Sequence, residues 1–241
     1  MLFRRKATPI EEDENSFWIS YSDILSSLLI IILLITVYVI FELMQTKKSV
    51  TENLEEITKA ELVRKETLEK IQNTLSQYGV DVEIANNYSV LRIPESTLAF
   101  ESNDYRVPYE MEDELIKIGE VILKVLTEGD TDDYFDTIFI EGHTDIRPSK
   151  RELGNLGLST FRAISVWNFW RDRVSDEYSR LSNLQGDKMF SVGGYGETRP
   201  AIEDQRSEED YRKNRRIDVR FTIRKPTSLD YSNIIKMFDE N

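Results

Sequence analysis

The sequence predicts an α+β protein: a single N-terminal transmembrane helix, then a soluble domain of order β-α-β-α-β-β whose mixed sheet carries its helices on one face. Three observations lead there. No residue between Ile24 and Phe41 is charged, and at about 1.5 Å per residue those roughly 18 positions cover most of a ~30 Å hydrocarbon core. Alternation with a period of two marks Val80, Val82 and Ile84, and again Ile217, Val219, Phe221 and Ile223 with Asp218, Arg220 and Thr222 between them. Between these strands lie two stretches with apolar residues three or four apart, which is the helical spacing.

Taken in order, residues 1–16 form a polar cytoplasmic tail with the acidic cluster Glu11, Glu12, Asp13 and Glu14. Residues 17–44 are the transmembrane helix. Arg4, Arg5 and Lys6 precede it, but the apolar run is too long for a signal-peptide core and Glu42, Leu43 and Met44 follow where a small-residue cleavage site would stand, so an uncleaved anchor is expected. The basic residues before the run, set against Lys47 and Lys48 after it, favour a single-pass chain with its N-terminus inside.

Residues 45–78 read as a helical linker. Leu54, Ile57, Leu68, Ile71 and Leu75 keep a seam that Glu61 and Arg64 interrupt, so an interrupted coiled coil and a solvated spacer both remain open. The soluble domain spans 79–226. It opens with a hairpin turned at Asn86-Asn87 and returning over Tyr88 to Ile93, then a loop from Leu98 to Tyr105. A helix over 109–127, a strand over 137–141, a polar loop over 142–157 and a helix over 159–174 follow. Strands at 190–194 and 217–223 flank a mostly looped stretch, and 227–241 is a C-terminal tail. The aromatic stripe of the second helix, with Trp167 and Trp170, reads as core.

Composition narrows the chemistry. A formal charge of −13 and a pI of about 4.7 argue against a nucleic-acid partner. There is no cysteine and one histidine, His143, which excludes thiol chemistry and a multi-histidine metal site within one chain. No activated nucleophile or metal set points to an enzyme, and neither a cofactor nor a metal is expected.

Two places carry functional residue types. Asp23 begins the apolar run, with Ser26 and Ser27 one turn further on the same helical face. An acid there is a helix N-cap on one reading, and on the other an intramembrane carboxylate that needs a proton, a partner or a wet path. In the soluble domain, Gly142-His143-Thr144-Asp145 follows the central strand. Asn155-x-x-Leu158-Ser159-x-x-Arg162-Ala163 opens the second helix, then come Gly194-x-Gly196-x-x-x-Pro200 and Asn214-Arg215-Arg216-Ile217. These groups can meet at one sheet edge, where an arginine fork grips a carboxylate and an aspartate takes an ammonium: a receptor for a small zwitterion. The alternative is that Asp145 and Arg162 only pair with each other. His143 reads as a packed strand-end residue.

Those four ordered motifs resemble the OmpA-like peptidoglycan-binding domain. The resemblance implies recognition of the diaminopimelate moiety of the wall stem peptide, with Asp145 and Arg162 as principal contacts, Asn155 and Arg215 assisting, and Thr144 and Asn214 shaping the pocket. The chain departs from the pattern after Asp145, where it has Ile146-Arg147-Pro148-Ser149-Lys150 in place of a glycine and a short run. At the membrane, Trp18, Tyr21 and Asp23, then the serine pair and the aliphatic run, resemble the B-type stator subunits of ion-driven motors, of which flagellar MotB is the familiar member. That resemblance implies that Asp23 carries the coupling ion, H⁺ or Na⁺, in an inner-membrane chain whose C-terminal domain lies in the periplasm. It also implies a homodimer enclosed by a multi-span A-type (MotA/ZorA-like) oligomer, and adds a leakage plug to the readings of the linker. The short tether is closer to the stators of the Zorya anti-phage defence system than to flagellar ones. A flagellar stator and a passive fastener between membrane and wall are the alternatives.

Overall fold

The computed structural model describes residues 10–225, so most of the predicted N-terminal tail and the whole tail at 227–241 lie outside the described residues. The chain forms two compact units that divide between Leu54 and Glu55.

Helix α1 (Ile10–Gln77) contributes to both units. Neither glycine nor proline occurs between Pro9 and Gly79, so nothing in the sequence breaks it. Gly79 ends it with φ 75°, and the Val80 N–H closes back on the Leu75 carbonyl at 3.0 Å, as a left-handed glycine cap does. In the first unit its apolar side chains from Phe17 to Met44 are exposed. Among the described residues it is the one helix long and apolar enough to cross a membrane.

In the second unit the end of α1 is core. Leu68, Ile71 and Leu75 are fully buried with Ala60 and join the same apolar cluster as the sheet. The stretch expected as a helical linker over 45–78 is helical, and from Glu55 onward it groups with the second unit. The charges that interrupt the seam do not prevent packing because Arg64, itself buried, pairs with Glu61 on the same helix. Lys70 reaches Glu128 at 2.5 Å, and the Gln72 amide donates to the Val82 carbonyl at 2.9 Å.

The sheet has five strands, β1 (Glu83–Ala85), β2 (Val90–Pro94), β3 (Phe135–His143), β4 (Phe190–Gly194) and β5 (Arg216–Ile223), in the order β1-β2-β5-β3-β4. β3 and β4 are parallel and the other pairs antiparallel, so the expected mixed sheet is present. Asn86, Asn87 and Tyr88 make the hairpin turn with φ near 51 to 56°. Helix α2 (Glu112–Leu126) and α3 (Gly154–Phe169), continued by a π-helical turn at Trp170–Val174, supply the core with the end of α1. A turn of helix, α4 (Glu177–Arg180), brings Tyr178 into that core, where its hydroxyl donates to the Gly119 carbonyl at 2.6 Å.

Three differences from the sequence-based expectation position the site. β3 runs to His143 rather than stopping at Glu141, and α3 starts at Gly154 rather than Ser159, so the loop between them is short and Asn155 lies in the first turn of α3. The stretch expected as loop contains α5 (Glu208–Asn214), started by a capping box in which the Ser207 hydroxyl accepts from the Asp210 N–H and the Asp210 carboxylate accepts from the Ser207 N–H. α3 lies so close to β3 and β4 that a Cβ on Gly142 would come within 2.0 Å of the Ser159 carbonyl oxygen.

The sheet's second face is charged and also largely buried. Asp218 accepts from Arg92 and Arg216, each at 3.0 Å, and Glu141 accepts from Arg220 at 2.8 and 2.9 Å. His143 stacks on Tyr195 beside them, and burial together with Arg216 pushes its imidazole down to about 3.

Candidate functional site

Where β3 ends, the second unit holds a cavity of about 420 Å³. The β3–α3 loop, the start of α3, the loop around Asn103 and the residue before β5 wall it, so residues of three of the four motifs meet there and the Gly194–Pro200 motif does not line it.

Asp145 lies two residues past β3 and is almost wholly buried. Its Oδ2 accepts from Arg215 Nη1 at 2.6 Å and from Arg147 Nε at 3.0 Å, and its Oδ1 accepts from the Arg147 backbone N–H at 2.9 Å. Burial alone would raise this carboxyl, but the hydrogen bonds from Arg147 and Arg215 outweigh it and hold it below the usual aspartate value.

Arg162 comes from α3 and is also buried. Its guanidinium donates to two carbonyls, Asp104 O at 2.9 Å and Glu101 O at 3.1 Å, and lies 4.9 Å above the Phe100 ring. It forms no ion pair with Asp145, so the reading in which those two only neutralise each other is not what the structure has. Burial pulls its guanidinium down to about 10. A buried cation whose hydrogen bonds all go to carbonyls favours an incoming carboxylate.

The remaining predicted residues divide by role. Asn155 braces the loop: its Oδ1 accepts from the Ser149 N–H at 2.9 Å and its Nδ2 donates to the Asp145 carbonyl at 3.3 Å. Thr144 lines the cavity, and its hydroxyl is buried with no hydrogen-bond partner, which leaves it available to a ligand. Arg215 binds Glu95 at 2.5 and 2.7 Å, Glu208 at 2.7 Å and Asp145; burial opposes its charge, but these carboxylates raise its pKa. Asn214 does not line the cavity. Its side chain pins the Ala201 and Ile202 N–H groups at 2.6 and 3.0 Å, and so fixes the backbone from which Arg215 projects.

Sequence reasoning missed Glu95, Glu208 and the role of Arg147, all of which line the cavity. The Ser207-x-x-Asp210 pattern could have placed Glu208 on a helix start. Glu95 had no signal beyond following Pro94 at the end of β2. Asp23 lies in the other unit, exposed on α1.

No family model matches the chain. Over 219 residues it is 24% identical to the Zorya protein ZorB of Escherichia coli, spanning 87% of this chain and 81% of that protein. Among solved structures, a MotB-like protein from Desulfovibrio vulgaris superposes with a TM-score of 0.53 at 17% identity, covering 69% of this chain and 98% of that one. The periplasmic domain of Helicobacter pylori MotB gives a TM-score of 0.49 at 22% identity, over 69% and 93% of the two chains. The chain is thus a sequence relative of ZorB whose fold is that of a MotB-like protein.

Proposed function

We propose that this relative of ZorB is a B-type stator subunit: it conducts an ion through an inner-membrane motor at Asp23 and is anchored to peptidoglycan by its second unit, in a Zorya anti-phage defence system. The observation that carries the reading is the presence on one chain of an exposed apolar helix bearing an acid and a buried, carboxylate-free Arg162 in a polar cavity. A passive fastener needs the helix and the cavity but not the acid.

On this reading the wall's diaminopimelate places its carboxylate against Arg162 and Thr144 and its ammonium toward Asp145, while Asn155, Arg215 and Asn214 hold the frame. One helix cannot line a conduction path, so two copies of α1 sit inside a multi-span A-type oligomer that shields Asp23. Taking up an ion neutralises Asp23 and changes how α1 meets its neighbours. The driving energy is sufficient, because one elementary charge crossing 100 mV is worth about 2.3 kcal/mol. The wall anchor then supplies the reaction to torque.

The wall half is tested with the full chain in detergent and purified Gram-negative sacculi. The wild type co-sediments, and Arg162→Ala, with its thermal unfolding unchanged, loses about 10-fold or more in affinity, as expected for a deleted charge-assisted contact. Equal sedimentation of the two proteins would overturn the assignment of the cavity.

A further inference from the structure

The departure from the family pattern after Asp145 places a cation where the ligand's own cation would go. Arg147 wraps back on the acid two residues before it: its backbone N–H takes Oδ1, and its Nε and Nη2 take Oδ2 at 3.0 and 2.5 Å. With Arg215 Nη1 on the same oxygen, Oδ2 accepts from three guanidinium N–H groups. A carboxylate oxygen has about two lone-pair sites, so nothing remains there for an ammonium.

The two arginines are not held alike. Arg215 is mostly buried and tied to Glu95 and Glu208 as well as Asp145, so it belongs to the frame. The Arg147 side chain is 49% exposed. Its outer contacts are Glu208, itself half exposed, at 3.1 Å, and the Tyr211 ring at 4.4 Å, both on α5. The outer contact to Glu208 is an exposed ion pair and holds Arg147 weakly, and when Arg147 swings out Asp145 still has Arg215 on its Oδ2, so the buried acid is not left unpaired. At the other end of the cavity Arg162 hydrogen-bonds two carbonyls and no carboxylate, and the Thr144 hydroxyl has no hydrogen-bond partner. One end of the zwitterion receptor is open; at the other Oδ2 is taken, Oδ1 holds one backbone N–H, and the Arg147 guanidinium stands where an ammonium would approach.

We infer that Arg147 is a built-in occupant of the ammonium subsite, so that this chain selects its wall peptide by the carboxylate at Arg162 and admits the ammonium to Asp145 only when Arg147 leaves. The inference rests on the wall-binding reading above. It makes Arg147 a specificity determinant that lowers affinity and blunts discrimination for the amino group, and gives α5, through Glu208 and Tyr211, control over the subsite.

Calorimetry on the full chain in detergent tests it with two soluble peptides. One is the tripeptide L-Ala-γ-D-Glu-meso-diaminopimelate; the other carries 2-aminopimelate in the last place, keeping the distal carboxylate without its ammonium. The wild type should bind both within about 2-fold, whereas Arg147→Ala should bind the diaminopimelate peptide about 10-fold tighter and reject the analogue by a similar factor. Arg147→Lys, which keeps a cation beside Asp145, should stay near the wild type, and melting curves of both variants confirm folding. If Arg147→Ala binds no tighter and discriminates no better while Arg162→Ala still abolishes binding, the inference fails and the wall-binding reading stands. If neither the wild type nor Arg147→Ala binds either peptide, both fail together.

Discussion

The membrane stretch of α1 and the cavity domain solve opposite problems. From Phe17 to Met44 the chain shows water what proteins usually hide: Leu28 is 54% exposed, Val37 63% and Phe41 60%. Around the cavity and behind the sheet it hides what proteins usually show, with Asp218 1% exposed, Asp145 4% and Arg162 5%. Among the described residues nothing covers the apolar stretch, which on the proposed reading lipid and other helices complete. Among the described residues each buried carboxylate of the domain meets a guanidinium, and Arg162 is the buried cation with no carboxylate at ion-pair distance. Surroundings define the first region, and internal geometry the second.

Breaking the internal geometry should therefore cost most. Gly142→Ala would push a Cβ to 2.0 Å from the backbone oxygen of Ser159, which cannot yield without moving α3. Loss of more than about 4 kcal/mol, or failure to fold, is expected in denaturant unfolding. A change under about 1 kcal/mol would show that α3 is not fixed on β3. The boundary between the regions is sharpened by a pair on α1. Ile71→Ala empties a fully buried site and should cost about 2–5 kcal/mol, whereas Leu62→Ala, at an exposed position, should stay within about 0.5 kcal/mol. Equal effects would mean that the end of α1 is not core.

The buried charges also give the domain a pH signature. His143 has its folded pKa lowered from 6.5 to about 3, by burial and by Arg216. Between those values the unfolded chain binds the proton and the folded chain does not, so stability is full above the unfolded pKa and falls as pH drops from 6.5 toward 3. Thermal melts at pH 7 and 4.5 should differ by several degrees in the wild type, and by clearly less in His143→Gln. An unchanged slope would assign the effect to the carboxylates. Smallest is the helix start: Ser207→Ala removes the capping box of α5 and should cost about 1 kcal/mol in the same melts.

What could be read from the sequence follows the same division. The apolar run, the alternation of β5 and the helical spacing of α2 are one-dimensional patterns, and the structure keeps them. The cavity's position was legible because three of the motifs fall at strand ends and a helix start that the mixed sheet brings together. The tail of α1 was not, because a seam containing Glu61 and Arg64 looks solvated until those two pair and Leu68, Ile71 and Leu75 find the sheet. Neither was the pairing at Asp145. Spacing shows that Arg147 is two residues away, but only the fold shows that the side chain turns back onto the acid rather than outward.

The most direct test concerns the region that is defined by its surroundings. In cells carrying the chain with its neighbouring genes, phage plating efficiency is measured for the wild type, Asp23→Asn and Asp23→Glu, with membrane abundance checked by immunoblot. Asp23→Asn should lose protection at unchanged abundance, while Asp23→Glu, which still titrates, should retain part of it. Full protection by Asp23→Asn would contradict the ion-coupled role and leave the chain a tether between membrane and wall.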